Sequence, residues 1–269
     1  MNMAFVLLAE PKLPQPEAVI ASHRAIAPLG PALVAEIPPD GNTVSFRMAN
    51  GDAVVLGLMS VPVPDGAAAA NAEHSLSAMG SGWTLPEHRA HVVVVMIDAD
   101  KRPPFARLTA FAHRVLRNEK TRSPLDRLIA FTRVVAAVAA AGEAVGVYLG
   151  PANATHAPRF FIDIASTEDP LPSMLMVWNG VSIAKEGDRI SVLSLGMSQF
   201  ELPNLLLTAP AAAATDALER MFDLLAYVTS RGAALPAGDT VGSTADERIT
   251  VRYEPSPIDD AAQVWRVDL

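Results

Sequence analysis

The chain reads as an α+β protein made of two tandem ferredoxin-like (βαββαβ) units, packed as one body with a helical connector. Three observations predict this. Short apolar runs and helical patterns alternate as β-α-β-β-α-β over residues 4–98, and the same order returns over 144–254. Each half carries a Gly-Asp turn in its hairpin, Gly51-Asp52 and Gly187-Asp188, and a proline break behind its first strand, Leu8-Ala9-Glu10-Pro11 against Leu149-Gly150-Pro151. Two helical stretches, 105–116 and 123–141, lie between the halves. The plainer alternative is an α+β chain in which this order arises without duplication. The expected division is a first unit over 1–100, a connector over 101–142 and a second unit over 143–269 with an extra C-terminal strand.

Each element has a local cause. Residues 4–8 form an apolar run stopped by Pro11, and Pro16-Glu17 opens a helix with Val19, Ile20, His23 and Ile26 on one side. Residues 43–48 alternate in polarity, the Asn50-Gly51-Asp52 turn follows, and 53–61 is strand-like, which makes a hairpin. An alanine-rich helix is expected over 67–79. The run HVVVVMID, 91–98, is continuously β-branched, as a strand covered on both faces is. Ser123 suits an N-cap, Pro124 the first helical turn and Asp126 the positive end of the dipole. In the second half, strands are expected at 144–149, 174–184, 190–197, 248–253 and 263–267, with helices at 158–165 and 215–231.

Composition removes several classes of function. Of 269 residues, 50% are hydrophobic, enough for a buried core. The net charge of -8, from 29 acidic and 21 basic residues, gives no basic footprint for nucleic acid. The absence of cysteine excludes disulfides, thiolate metal sites and a cysteine nucleophile, and suits a reducing compartment. The apolar run at 4–9 has no basic residue before it and is too short for a signal peptide, and no segment is long and apolar enough to span a membrane. A cytoplasmic protein is expected, with neither nucleic acid nor membrane as partner.

The segment most like a site is Gly238-Asp239-Thr240-Val241-Gly242. It lacks the lysine of a phosphate loop and the spaced oxygen ligands of a calcium loop. Two readings stay open: a turn in which Asp239 and Thr240 bond nearby backbone amides, and the rim of a ligand pocket. His88 and His91 have the spacing of a ligand pair, yet an i, i+3 pair entering a strand points to opposite faces. Asp98 and Asp100 end the same strand, and His113 and His156 lie elsewhere, without a recognisable metal motif. No metal and no cofactor are expected. Ser81, between Gly80 and Gly82, lacks the strand-to-helix setting of a nucleophile. Trp83, Trp178 and Trp265 are either core residues or contact anchors, and 67–79 is the expected adaptable rim. The ligand-binding set read from the sequence is Asp239, Thr240, Trp83 and His88.

The passages FVLLAEPKLP (5–14), HRAHVVVV (88–95) with Trp83 shortly before it, AVGVYLG (144–150), SLGMSQFELPNL (194–205) and LPAGDTVG (235–242) carry a resemblance. Together they resemble a bacterial family known as domain of unknown function 4261. The resemblance runs nearly end to end and implies a single family-wide unit of this length, without an assigned activity. Leu149 stands where the family's Tyr-x-Gly element carries an aromatic residue before the glycine. The function these readings support is a non-catalytic, protein- or small-ligand-binding protein of immunity, adaptor or regulatory type. The alternative is a hydrolase or metal-dependent enzyme with a site assembled from His88, His91, Asp98 and Asp239, with Thr240 beside it.

Overall fold

Alternation between two faces explains most of the first sheet. In the computed structural model, which describes residues 2–36, 42–49, 51–97, 123–242, 244, 247–259 and 261–269, seven strands line up as β2-β3-β4-β5-β1-β6-β7. They are β1 (Asn2–Leu8), β2 (Leu33–Glu36), β3 (Thr43–Met48), β4 (Ala53–Met59), β5 (Ala90–Ile97), β6 (Gly146–Leu149) and β7 (Ala154–His156). On the inner face, Val6, Val44, Phe46, Val54, Leu56, Val92 and Val94 are fully or almost fully buried. Against this side lie α1 (Pro16–Ile26) and α4 (Pro124–Ala141), which also pack on each other. The second half of α4 is buried all round, from Val134 to Ala139, which accounts for its run of small residues. Two short helices, α2 (Ala67–Ala70) and α3 (Leu76–Ser81), stand where one helix over 67–79 was expected. Helix α5 (Pro158–Ala165) matches its expected bounds, and Arg133 of α4 donates to the carbonyls of Ala165 and Thr167 at its C-terminal end.

The second sheet has the order β13-β14-β10-β9-β8. Its strands are β8 (Gly180–Glu186), β9 (Arg189–Leu195), β10 (Asn204–Pro210), β13 (Arg252–Pro255) and β14 (Gln263–Asp268). Strands β8 and β9 turn through Gly187-Asp188, with Gly187 at φ +61. Strands β10 and β14 are parallel neighbours, so the chain between them crosses over, and α7 (Ala214–Arg231) makes that crossover on top of β9 and β10. Met221, Leu225 and Val228 bury its inner side, and Gly232 at φ +67 ends it in the left-handed conformation. Helix α6 (Pro170–Trp178) precedes β8, and β11 (Thr240–Val241) pairs with β12 (Ile249–Thr250).

By contacts the chain divides into two compact units. One comprises 1–73, 77–150 and 155–170, the other 74–76, 151–154 and 171–269. Among the described residues, no helix is long and apolar enough to cross a membrane.

The α+β class holds, but the pairing is not that of tandem ferredoxin-like units. A ferredoxin-like unit inserts its first strand between its third and fourth, whereas here β4 pairs directly with β5, and β1 lies beyond β5. Strand β6, expected to open the second repeat, is instead an antiparallel neighbour of β1. Element order along the chain does not specify neighbours in the sheet, and β5, expected to be covered on both faces, buries Val92 and Val94 but leaves Val93 and Val95 partly exposed. Residues 174–184, expected as one strand, divide into the end of α6 and the start of β8. Pro170 supplies the helical first turn, and Met174, Leu175 and Met176 are not β-branched. The helix expected over 105–116 lies outside the described residues.

Candidate functional site

His88 and His91 are brought together, contrary to the opposite faces expected of them. His88 precedes β5 and is not bound by strand alternation. Both imidazoles reach the segment behind β4, where Pro62 and Pro64 prevent the strand from continuing. His91 Nδ1 lies 2.9 Å from the carbonyl oxygen of Val61, and the Val63 amide donates to His88 Nε2 at 3.4 Å. A carbonyl only accepts and an amide only donates, so His91 carries hydrogen on Nδ1 and His88 a lone pair on Nε2. Burial holds both rings below the ordinary histidine pKa; His91 adds to the effect on His88, and the Val61 bond partly offsets it on His91. Phe5 meets His91 edge-on and stacks on Tyr148, at ring separations of 5.5 and 5.6 Å. These are side chains completing a backbone hydrogen-bond pattern over an aromatic cluster. Trp83 is half-buried in the loop before them, and Asp98 lies outside the described residues. Among the described residues, no three His, Asp or Glu side chains converge as metal ligands.

Asp239 and Thr240 belong to the second unit, His88, His91 and Trp83 to the first. Asp239 and Thr240 are exposed. The Asp239 main chain closes the turn: its N–H donates to Pro236 O at 3.1 Å and its carbonyl accepts from Val251 N at 2.8 Å. Gly238, at φ +87, donates to Val251 O, and Thr240 faces Thr250 across the β11–β12 pair. Gly242 has a different reason to be glycine, since a Cβ there would collide with the carbonyl of Glu247. Glu247 in turn accepts from Arg220 of α7 at 2.5 Å. The pentapeptide is therefore built as a turn closed by main-chain bonds to Pro236 and Val251.

The family model described as Domain of unknown function (DUF4261) matches residues 193–268. That segment is similar to the DUF4261 family. No curated protein and no solved structure gives a match to the chain. The DUF4261 segment runs from β9 to β14 and so contains most of the second sheet with α7, together with Asp239 and Thr240. Inside it, Asn204 Oδ1 accepts from the amides of Gly196 and Met197 at 3.2 and 3.1 Å, and Gln199 donates to the carbonyls of Trp178 and Gly196. The SLGMSQFELPNL passage is thus a self-bonded turn. Gly196 has φ +127, and a Cβ there would lie 2.5 Å from Trp178 O. Trp178 and Trp265 are core residues, 1% and 2% exposed. An apolar dent beside Trp265, lined by Leu202, Val228, Leu235 and Tyr253, has no volume open to a water molecule.

Sequence reasoning missed an ionic cluster in the DUF4261 segment. Arg266 donates to Asp268 at 2.8 Å and to both oxygens of Glu254, while Arg252 lies 3.8 Å from Asp268. The Asp268 bond raises the Arg266 pKa further against the opposing pull of burial. The signal was present as two Arg-x-acid triplets, 252–254 and 266–268, which strand periodicity sets on one face of adjacent strands. The charges neutralise one another.

Sequence reasoning also missed the outer face of the first sheet. By register, Met3, Phe5, Val55, Gly57, Met59, Val93, Val95 and Ile97 share it. Met59 and Ile97 are 47% and 39% exposed. Among the described residues, nothing lies within 4 Å of where a Cβ on Gly57 would sit, which leaves a dent between Thr43 and Val93. No charged side chain stands on it across β4, β5 and β1. The Arg47–Glu36 pair marks its edge at β3 and β2.

Proposed function

We propose that this chain is a non-catalytic, cytoplasmic binding protein of adaptor, immunity or regulatory type, and that it engages a protein partner through the outer face of the seven-stranded sheet. The observation that carries this reading is the uncharged apolar surface around Gly57 in a chain of net charge -8. Contiguous exposed apolar area of this kind is characteristic of interaction surfaces. An exposed sheet face suits a protein better than a small molecule, whose sites are enclosed clefts. The acidic balance argues against nucleic acid as the partner. Both histidines bond backbone groups, and the Asp239 turn is closed by main-chain bonds to Pro236 and Val251.

The test compares the wild-type chain with a Met59→Lys/Ile97→Lys variant, both positions being exposed and so tolerant of charge. Proteins recovered from the native host with the wild type are purified and titrated against both forms by calorimetry. The expected result is a loss of affinity of at least about tenfold in the variant, in the range of hot-spot substitutions, with an unchanged melting temperature. Equal affinity for both forms would reject this surface. A small molecule retained in native mass spectrometry, or self-association of the wild type abolished by the variant, would replace the protein partner by another occupant.

A further inference from the structure

The chain between β4 and α2 crosses the outer face of the first sheet at one end, over four neighbouring strands. At β5 it is held by His88 and His91 through Val63 and Val61. Over β1 and β6, Val63 and Ala68 are buried with Leu7 and Tyr148, and Phe5 and Ala67 pack against that cluster. At β7, Thr155 donates through Oγ1 to Ala68 O at 2.6 Å and through its amide to Asn71 O at 3.0 Å. Residues 61–71 are therefore a strap with two differently made fastenings. The β7 end uses groups that do not titrate. The β5 end uses two imidazoles.

We propose that the strap is acid-sensitive at its β5 end, with His88 as the trigger: protonation of Nε2 replaces the acceptor of the Val63 amide by a second donor and releases that amide, while Val61 stays bonded to His91. His91 cannot play this part, because its Nδ1–H still donates to Val61 when the ring is charged. His88 holds the longer of the two bonds, 3.4 Å against 2.9 Å. Pro62 and Pro64 lack amide hydrogens, so the Val61–Val63 segment has few other bonds to offer the sheet. Among the described residues, the titratable and charged groups on the elements around His88 are His91 of β5, Asp65 of the strap, Glu87 and Arg89 in the loop, Glu10 behind β1 and Tyr148 of β6. Glu87 and Arg89 pair with each other at 3.6 Å. Burial and His91 both disfavour a charge on His88, so a proton that does bind comes at the expense of the closed strap.

Amide hydrogen exchange on the full chain tests this, with the His88 and His91 ring protons followed by NMR over the same pH series. Corrected for intrinsic exchange, protection of Val63 is expected to fall at least about tenfold between about pH 7.5 and about pH 5, in step with the His88 ring. The Thr155 and Asn71 amides should keep theirs. In His88→Gln, whose side-chain oxygen accepts at any pH, the step should vanish. A wild-type step that follows His91 or a carboxylate, Val63 protection unchanged through the His88 titration, or the same step in His88→Gln would each overturn the proposal.

Discussion

The residues that most resemble a site owe their identity to backbone geometry. Asp239 uses its amide and carbonyl to close the turn, with its side chain exposed. Asp239→Ala should therefore change stability by less than about 0.5 kcal/mol, as surface substitutions do. Gly242→Ala places a methyl group against the Glu247 carbonyl, and should cost about 1–3 kcal/mol in urea unfolding, in the range of overpacked sites. The reverse ranking would return the loop to the status of a ligand rim. The turn itself was legible in Gly238, whose positive φ it requires, whereas main-chain bonds close it and not the side-chain bonds expected of Asp239 and Thr240. The approach of Glu247 was not, since it depends on Arg220 of a helix 27 positions earlier. The pairing of His88 with His91 was hidden for a similar reason: periodicity applies only inside a strand, and β5 begins at Ala90.

At the scale of elements, capping chemistry was the most readable signal. Ser123 and Asp126 form the reciprocal box: the serine hydroxyl accepts from Asp126 N at 3.1 Å, and the Ser123 amide donates to Asp126 Oδ2 at 3.1 Å. Ser123→Ala should cost about 0.5–2 kcal/mol. Thermal unfolding monitored by circular dichroism checks it, and Ser123→Asn should recover most of the loss because its side-chain oxygen also caps. Elements without a terminal signal were harder to read. Strand β10 is a run of Leu205-Leu206-Leu207 behind Pro203, buried on both sides and so without the alternation that marks a half-exposed strand. Strand β2 has four residues, too few to show a period. The Met174–Trp178 run was ambiguous because a short apolar stretch fits a buried helix as well as a strand.

Across the molecule, three histidines on different elements share one electrostatic character. His23 of α1 is 4% exposed, and burial, with Arg133 second, holds its pKa below the ordinary value; His88 and His91 are lowered chiefly by burial as well. A base with a depressed folded-state pKa is neutral in both states well above about pH 6.5, where it has no effect on the slope of stability. As pH falls below that value the unfolded chain takes up protons first, so stability declines until the folded-state pKa is passed. Each ring adds to the slope only within its own window, and His88, the most exposed of the three, adds least. Urea unfolding should therefore be nearly level between about pH 8 and about pH 7 and weaken progressively from about pH 6.5 to about pH 5. His23→Asn should flatten part of that decline, because Asn cannot be protonated there. A stability that rises on acidification over this range would show that the three rings are not held neutral by the fold.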